Sequence, residues 1–107
     1  MDTSQLLKGV LDLAVLAVLR TEDGYGYDVL RRLRQTGLED VGDASVYGTL
    51  RRLYHAGLLT SYVVPSEEGP HRKYYSVNEP GLARLRESSK TWRAFADTMD
   101  NLLREAA

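Results

Sequence analysis

The chain has 107 residues, of which 43% are hydrophobic and 27% charged, and its formal net charge is -1. This composition predicts a folded soluble protein with one compact domain, or a small domain with a long appendage, and it excludes a global positive field that would mark a nucleic-acid partner. The chain has no cysteine, which excludes disulfides and cysteine nucleophiles and favours the reducing cytoplasm as its location.

The first predicted element is a long helix over residues 3–20, where apolar residues recur at helical spacing. Its most apolar part, GVLDLAVLAVL at residues 9–19, is interrupted by Asp12 and is far shorter than the roughly 20 residues of a membrane span. It therefore predicts a buried helix and no membrane partner. The two glycines of EDGYGY at residues 22–27 then break the helical pattern.

Two shorter helices are predicted next, over residues 27–36 and 44–56. Gly37 and Gly57 follow their last turns, where a residue with a left-handed backbone commonly ends a helix. Asp43 comes directly before the second of these helices and is a candidate N-cap residue.

The third predicted helix has two contrasting faces. Val46, Leu50 and Leu53 recur at i, i+4 and i+7, which predicts the face that packs on the core. The remaining surface carries small, hydroxyl-bearing and basic side chains, a mixture that suits neither a core nor an ordinary charged face. Its residues are Ser45, Tyr47, Gly48, Arg51 and His55.

Two strands and a long helix complete the predicted order. LTSYVV at residues 59–64 and RKYYSV at residues 72–77 are rich in Val and Tyr, and PSEEGPH between them predicts a hairpin with a protruding loop. Asn78 marks the start of the last helix. At 1.5 Å per residue this helix is about 40 Å long, too long to bury its apolar stripe on its own domain, so pairing with a second chain is predicted. The stripe contains Leu82, Leu85, Ser89, Trp92, Ala96, Met99, Leu103 and Ala106, widened by Phe95 and Leu102.

The sequence contains no recognisable catalytic or metal-binding set of residues. His55 and His71 are sixteen residues apart on different elements, without carboxylates at metal-ligand spacing. Gly24 and Gly26 lack the third glycine of a dinucleotide-binding fingerprint, and no phosphate-loop or nucleophile motif occurs. These observations predict a protein that is not an enzyme and that needs no cofactor or metal.

Three helices followed by a hairpin is the order of a winged helix-turn-helix, a mainly α fold whose third helix enters the major groove of DNA. In that fold the outward residues of the third helix would contact bases and phosphates, and His71, Arg72 and Lys73 in the wing would bind phosphates. Simpler alternatives remain open. Tyr47 can be a half-buried packing residue, and Arg52 can pair with an acid of the second helix or of the loop that follows it.

Two other groups also allow two interpretations. Arg31, Arg32 and Arg34 can form a solvated helix face or contact phosphates. Trp92 can fill the core of an interface between two chains or line a site for a small ligand.

Five segments together resemble the PadR-type transcriptional regulators, in the short form with a single C-terminal helix. The resemblance implies a homodimeric DNA-binding protein, usually a repressor, that often responds to small aromatic molecules. It implies that the last helix packs against the N-terminal and C-terminal helices of the partner. In one respect the sequence departs from the family, because Gly48 stands where relatives commonly have proline. The segments are LLKGVLDLAVLAVL at residues 6–19, GYDVLRRL at 26–33, SVYGTLRRLYHAGLL at 45–59, GPHRKYYSVNEPG at 69–81 and WRAF at 92–95.

The resemblance adds positions to both predicted interfaces. We expect a winged helix-turn-helix over residues 1–78 and a C-terminal dimerisation helix over residues 79–107, acting on a double-stranded, pseudo-palindromic DNA operator. The alternative is a winged-helix module that binds proteins and has no DNA target. The expected DNA contacts are Tyr27, Ser45, Tyr47, Gly48, Thr49, Arg51, His71, Arg72, Lys73 and Tyr74. The expected dimer contacts are Leu6, Val10, Leu85, Trp92, Phe95, Ala96, Met99 and Leu103, with Trp92 also the candidate for binding an effector.

Overall fold

Five helices and three strands follow one another over residues 3–106, the part of the chain that the computed structural model describes. They form a winged helix-turn-helix with a long C-terminal helix, which confirms the predicted fold class. The elements are α1 (Thr3–Leu7), α2 (Leu11–Thr21), β1 (Gly24–Tyr25), α3 (Gly26–Gln35), α4 (Asp43–His55), β2 (Leu59–Val64), β3 (Arg72–Val77) and α5 (Glu79–Ala106).

The first helix is divided into two, so the prediction of one continuous helix over residues 3–20 was wrong. The backbone N–H of Val10 donates to the Leu7 carbonyl at 3.0 Å, and this tight turn ends α1. A new helix then begins, because the Ala14 N–H donates to the Val10 carbonyl at 3.0 Å. Gly9 lies in the turn, and glycine costs a helix about 1 kcal/mol relative to alanine. The apolar periodicity continues across the turn and so hid the break.

The ends of α3 and α4 follow the predicted glycine signals, but the start of α4 does not follow the Asp43 prediction. Gly37 has φ of 119° and Gly57 has φ of 80°, the left-handed conformation expected after a helix. Gly42, with extended backbone angles, is the N-cap residue of α4 and supplies no side-chain cap. Asp43 is instead the first residue of the helix, where its negative charge is favourable to the helix dipole.

The sheet contains one strand more than the predicted hairpin. β2 and β3 pair antiparallel from Leu59↔Val77 to Val64↔Arg72, as predicted. β1 pairs with the other edge of β3, giving the strand order β1-β3-β2. This two-residue strand lies in the glycine-rich segment that indicated only a break, and it fixes the start of α3 against the sheet.

One apolar core holds the helices to the sheet. Val46, Leu50 and Leu53 of α4 are buried in it, as predicted. Leu85, near the start of α5, is also buried in this core. Beyond that point most of α5 is exposed, and the molecule measures 57 × 28 × 20 Å. Within residues 3–106, no helix is both long and apolar enough to cross a membrane.

Candidate nucleic-acid interface

The outward face of α4 presents Gly48, Arg51 and His55, spaced so that they lie along one side of the helix. Arg51 is exposed, and no acidic partner within salt-bridge distance occurs for it among residues 3–106. His55 is exposed at the last turn, with its ring edge-on to Tyr54 at a centroid distance of 5.4 Å. Ser45 is exposed at the first turn. These four positions are accessible to a macromolecular partner, as the sequence predicted.

Thr49 does not belong to this accessible face. Only 2% of its surface is exposed, because position 49 lies three residues after Val46 and within the buried stripe of α4. Its hydroxyl accepts a hydrogen bond from Arg52 Nη2 at 3.3 Å. The expectation that Thr49 contacts DNA is therefore corrected, since its side chain is directed into the domain.

Tyr47 is half-buried and packs against the core. Its ring lies against the backbone of Gly26, the first residue of α3. A Cβ atom added at Gly26 would overlap Tyr47 Cε1. This contact joins α3 to α4 and corresponds to the packing alternative for Tyr47. Tyr27, the next residue of α3, is 57% exposed and remains accessible.

Arg52 forms an ion pair with Asp12 of α2. Its Nη1 atom donates to Asp12 Oδ2 at 2.7 Å, and this hydrogen bond raises the pKa of the guanidinium. The sequence predicted an acidic partner for Arg52 but placed it in the second predicted helix or the loop after it. The partner lies in α2 because α2 crosses α4 within the core.

All three arginines of α3 have partners within the fold, and Arg31, the most exposed of them, pairs with Asp28 of its own helix at 2.6 Å. Arg32 donates to the carbonyls of Val18 at 2.6 Å and Glu22 at 3.1 Å, and so satisfies acceptors at the end of α2. Arg34 donates to the Val41 carbonyl at 2.9 Å from Nη2 and at 3.2 Å from Nε, which holds the loop that leads into α4. These two side chains are structural, and they fix the helix-turn-helix geometry that positions α4.

The two wing cations lie on opposite faces of the sheet. Successive side chains of a strand alternate between faces, so Arg72 and Lys73 point apart. The Arg72 guanidinium lies over the Tyr25 ring at 4.6 Å from its centroid. Lys73 Nζ lies 5.0 Å from the ring centroid of Tyr54, at the end of α4, and 5.6 Å from that of Tyr75. The basic tripeptide His71-Arg72-Lys73 therefore forms two separate cationic positions rather than one.

The remaining predicted wing residues differ in exposure. His71 is exposed at the end of the loop that joins β2 to β3. Tyr74 is half-buried, and its ring stacks on Tyr62 of β2 with a centroid distance of 5.6 Å. Sequence reasoning missed the involvement of Tyr25 and Tyr62, because the short strand β1 that aligns Tyr25 with Tyr74 could not be seen.

A groove of about 1130 Å³ lies between the N-terminal helices and α5. Exposed apolar residues on it include Leu6, 62% exposed, and Phe95, 58% exposed. Val10 is only partly exposed, because it also packs on the core, and Leu85 is 8% exposed and belongs to the core of its own chain. The expectation that Leu85 contacts a partner is therefore corrected. The other expected contact residues that line the groove are Trp92, Ala96 and Met99.

Residues 3–106 contain no group of three or more metal-ligating side chains placed to hold a metal ion. The described arrangement consists of an accessible helix face, a wing with cations on both faces, and an apolar groove. Together with the fold, these features place the protein in the class of winged helix-turn-helix proteins.

Comparison with known proteins identifies the family within that class. Residues 15–87 match the PadR-like family of transcriptional regulators. The structure is similar to that of a PadR-like regulator from Bacillus cereus, with 35% identity, coverage of 92% of this chain and 96% of that one, and a TM-score of 0.81. It is also similar to a PadR family regulator from Eggerthella lenta, with 34% identity, coverage of 94% and 88%, and a TM-score of 0.85. An uncharacterised Lysinibacillus sphaericus protein is 28% identical over 102 residues, which are 94% of each chain.

The chain belongs to the PadR-like family, as the sequence resemblance indicated. It is thus a transcriptional regulator by family and by fold.

Proposed function

We propose that this regulator binds a pseudo-palindromic DNA operator as a homodimer and represses transcription in the cytoplasm. The observation that carries the proposal is the accessible face of α4, which combines a residue without a side chain, Gly48, with an exposed cation, Arg51. A helix with such a face can approach the floor of the major groove, where arginine can bind phosphates or the edge of guanine.

The wing supports the same proposal. Lys73 lies beside the last turn of α4, and Arg72 lies on the opposite face of the sheet. Both positions suit phosphates on either side of the groove that α4 would occupy. Tyr27, Ser45, His55 and His71 are further accessible candidates for backbone contacts.

The homodimer is supported by the exposed apolar surface of α5. Leu103 and Leu102 are 62% and 54% exposed on the part of the helix that extends beyond the core. Together with Trp92, Phe95 and Met99 they form a surface whose burial against a second copy is favourable. In this proposal residues 1–78 bind DNA and residues 79–107 dimerise. The helical turn of α5 that contains Leu85 also packs on the core of the DNA-binding part.

A small aromatic effector is the proposed regulator of operator binding. The groove beside Trp92 and Phe95 is apolar at its α5 wall and has Arg52 and Asp12 at its α4 end. A ligand there would change operator affinity only if it bound one arrangement of the two recognition helices more tightly than another. Operator half-sites one helical turn apart, about 34 to 36 Å, make binding sensitive to that arrangement.

The test is a fluorescence-anisotropy titration with DNA from upstream of the protein's own gene and with scrambled DNA, each at two salt concentrations. Sequence-selective binding that weakens with salt supports the proposal, and Arg51→Ala is expected to weaken it by at least tenfold. The matched control is Arg86→Ala, which removes the same charge from an exposed position of α5 and should leave affinity unchanged.

A protein-binding winged helix is the second candidate, and the net charge of -1 favours it. Binding to DNA releases counterions from phosphates and therefore depends steeply on salt, whereas apolar protein association does not. If the upstream DNA fails, selection from genomic fragments tests other operators. If no genomic fragment shows binding that weakens with salt and is tighter than binding to scrambled DNA, the operator-binding proposal is contradicted and the protein-binding candidate remains.

A further inference from the structure

Three tyrosines form a row across the outer face of the sheet, one from each strand. Tyr25 and Tyr74 are directly opposite each other in β1 and β3, with ring centroids 5.3 Å apart. Tyr74 and Tyr62 are opposite each other in β3 and β2, with rings stacked at 5.6 Å and 16° between their planes. The row is thus a set of cross-strand pairs whose positions follow from the strand register.

A hydrogen bond links the two ends of the row, because it joins Tyr62 on β2 to Asp23 beside β1. The Tyr62 hydroxyl, on β2, donates to Asp23 Oδ2 at 2.7 Å, and Asp23 directly precedes β1. The two outer strands are therefore joined across β3, and Tyr74 lies between them. Because Tyr25 is in β1 and packs on Tyr74, its ring orientation is set by this arrangement.

Arg72 is placed on the row by the same register. It lies two residues before Tyr74 on β3, on the same face, and so diagonal to Tyr25. Its guanidinium carbon is 4.6 Å from the Tyr25 ring centroid, within the range of a cation–π contact. Among residues 3–106, no carboxylate lies within salt-bridge distance of Arg72.

We propose that Tyr25 is a positioning residue for Arg72 at the DNA interface, holding the guanidinium by its flat face so that its N–H edges stay free for a phosphate. This inference rests on the proposed function. A stacked guanidinium uses its face for the ring, while phosphate recognition uses the N–H groups in its plane. An arginine already held in place also loses less rotamer freedom on binding than a free one.

Lys73 provides an internal comparison. It is adjacent in sequence but lies on the other face, over Tyr54 and Tyr75. The effect of Tyr25 should therefore depend on Arg72 and be independent of Lys73. A merely structural contribution of Tyr25 to the sheet would make no such distinction.

The experiment is a set of double-mutant cycles on the full chain, read by anisotropy with a random-sequence duplex of about 30 bp, long enough for two half-sites one turn apart. Phosphate contacts do not depend on sequence, so the probe reports them without a known operator. Arg72→Ala should reduce the slope of log affinity against log salt by about 0.9 for each wing that engages. Tyr25→Leu should weaken binding by about two- to fivefold per wing, the range expected for an exposed cation–π contact.

Three further variants make the inference falsifiable. Tyr25→Phe keeps the ring face and should stay within twofold of the wild type. Tyr25→Leu should have no added effect in an Arg72→Ala background and its full effect in a Lys73→Ala background. Thermal unfolding of each variant identifies any that fail to fold.

The outcomes separate the inference from the function on which it rests. Salt-dependent binding by the wild type, with the same loss from Tyr25→Leu whether or not Arg72 is present, would overturn the positioning role alone. A loss in Tyr25→Phe equal to that in Tyr25→Leu would also overturn it. A wild type that does not bind the random duplex at any salt concentration would overturn the inference, while the proposed operator binding would still be decided by the selection from genomic fragments.

Discussion

Gly81 should be one of the positions least tolerant of a larger side chain. It is buried in the first turn of α5, and its N–H donates to Asn78 Oδ1 at 2.9 Å. A Cβ atom added there would overlap the carbonyl oxygen of Leu58 and lie 2.7 Å from Val77 Cγ2. The overlapping atom belongs to the backbone of Leu58 and cannot move aside as a flexible side chain would. Gly81→Ala therefore has to move α5 away from the sheet.

The expected loss follows from two opposing contributions. Overpacking a close contact costs about 1 to 3 kcal/mol, whereas alanine in place of glycine stabilises a helix by up to about 1 kcal/mol. The overlap with backbone places the cost in the upper part of its range, so the free energy of unfolding should fall by about 1 to 2 kcal/mol. The Tm should fall by about 4 to 8 °C for each kcal/mol in a chain of this size.

Gly48→Ala is the matched control, since it makes the same change on a helix that has space for it. The nearest heavy atom to its added Cβ is Arg51 Nη2 at 4.0 Å. We expect stabilisation by up to about 1 kcal/mol. Urea and thermal unfolding followed by circular dichroism, at one fixed protomer concentration because dimerisation shifts stability, should rank Gly48→Ala above wild type and Gly81→Ala below it. A Gly81→Ala protein as stable as the wild type would refute the packing argument.

Three further predictions concern surface contacts. Asp12→Asn should lower the free energy of unfolding by less than about 1 kcal/mol, measured in urea, because the Asp12 and Arg52 side chains are 49% and 59% exposed. The hydrogen bond to Asp23 raises the pKa of Tyr62. This bond therefore stabilises the fold below about pH 10, the ordinary tyrosine pKa, and its contribution is lost as the pH rises above that value. The stability difference between wild type and Tyr62→Phe should therefore disappear in alkaline titration, and a difference that persists would contradict the assignment. Leu103→Glu should convert a dimer to a monomer in analytical ultracentrifugation, and an unchanged sedimentation coefficient would contradict the proposed α5 interface.

Periodicity predicted most of the helical fold and the hairpin. The buried stripe of α4 was predictable because Val46, Leu50 and Leu53 have no alternative face to occupy on an amphipathic helix. The break at Gly9 was not predictable in this way, since apolar spacing continues through the turn. β1 was missed for a different reason, because two residues are too few to show the alternation that marks a strand.

The predicted sites were less reliable than the predicted elements, because a side chain's partner depends on tertiary packing. Thr49 matches the family position for a recognition helix, yet the crossing of α4 over α2 buries it. Leu85 fits the heptad stripe of α5, but that turn still lies against the core. The Thr49 prediction came from the resemblance and the Leu85 prediction from the spacing, and in both cases the neighbour of the side chain could be determined only from the fold.

The wing shows most clearly how packing changes the meaning of a sequence motif. Arg72 and Lys73 are consecutive, and in the sequence they form one basic patch. On a pleated strand consecutive side chains diverge, so each cation has its own aromatic partner and its own direction of approach. Loss of either charge should reduce the salt dependence of DNA binding by a similar amount, since each can neutralise one phosphate. Only the loss of Arg72 should also abolish the effect of Tyr25→Leu on DNA affinity, because Lys73 lies on the opposite face of the sheet from the Tyr25 ring.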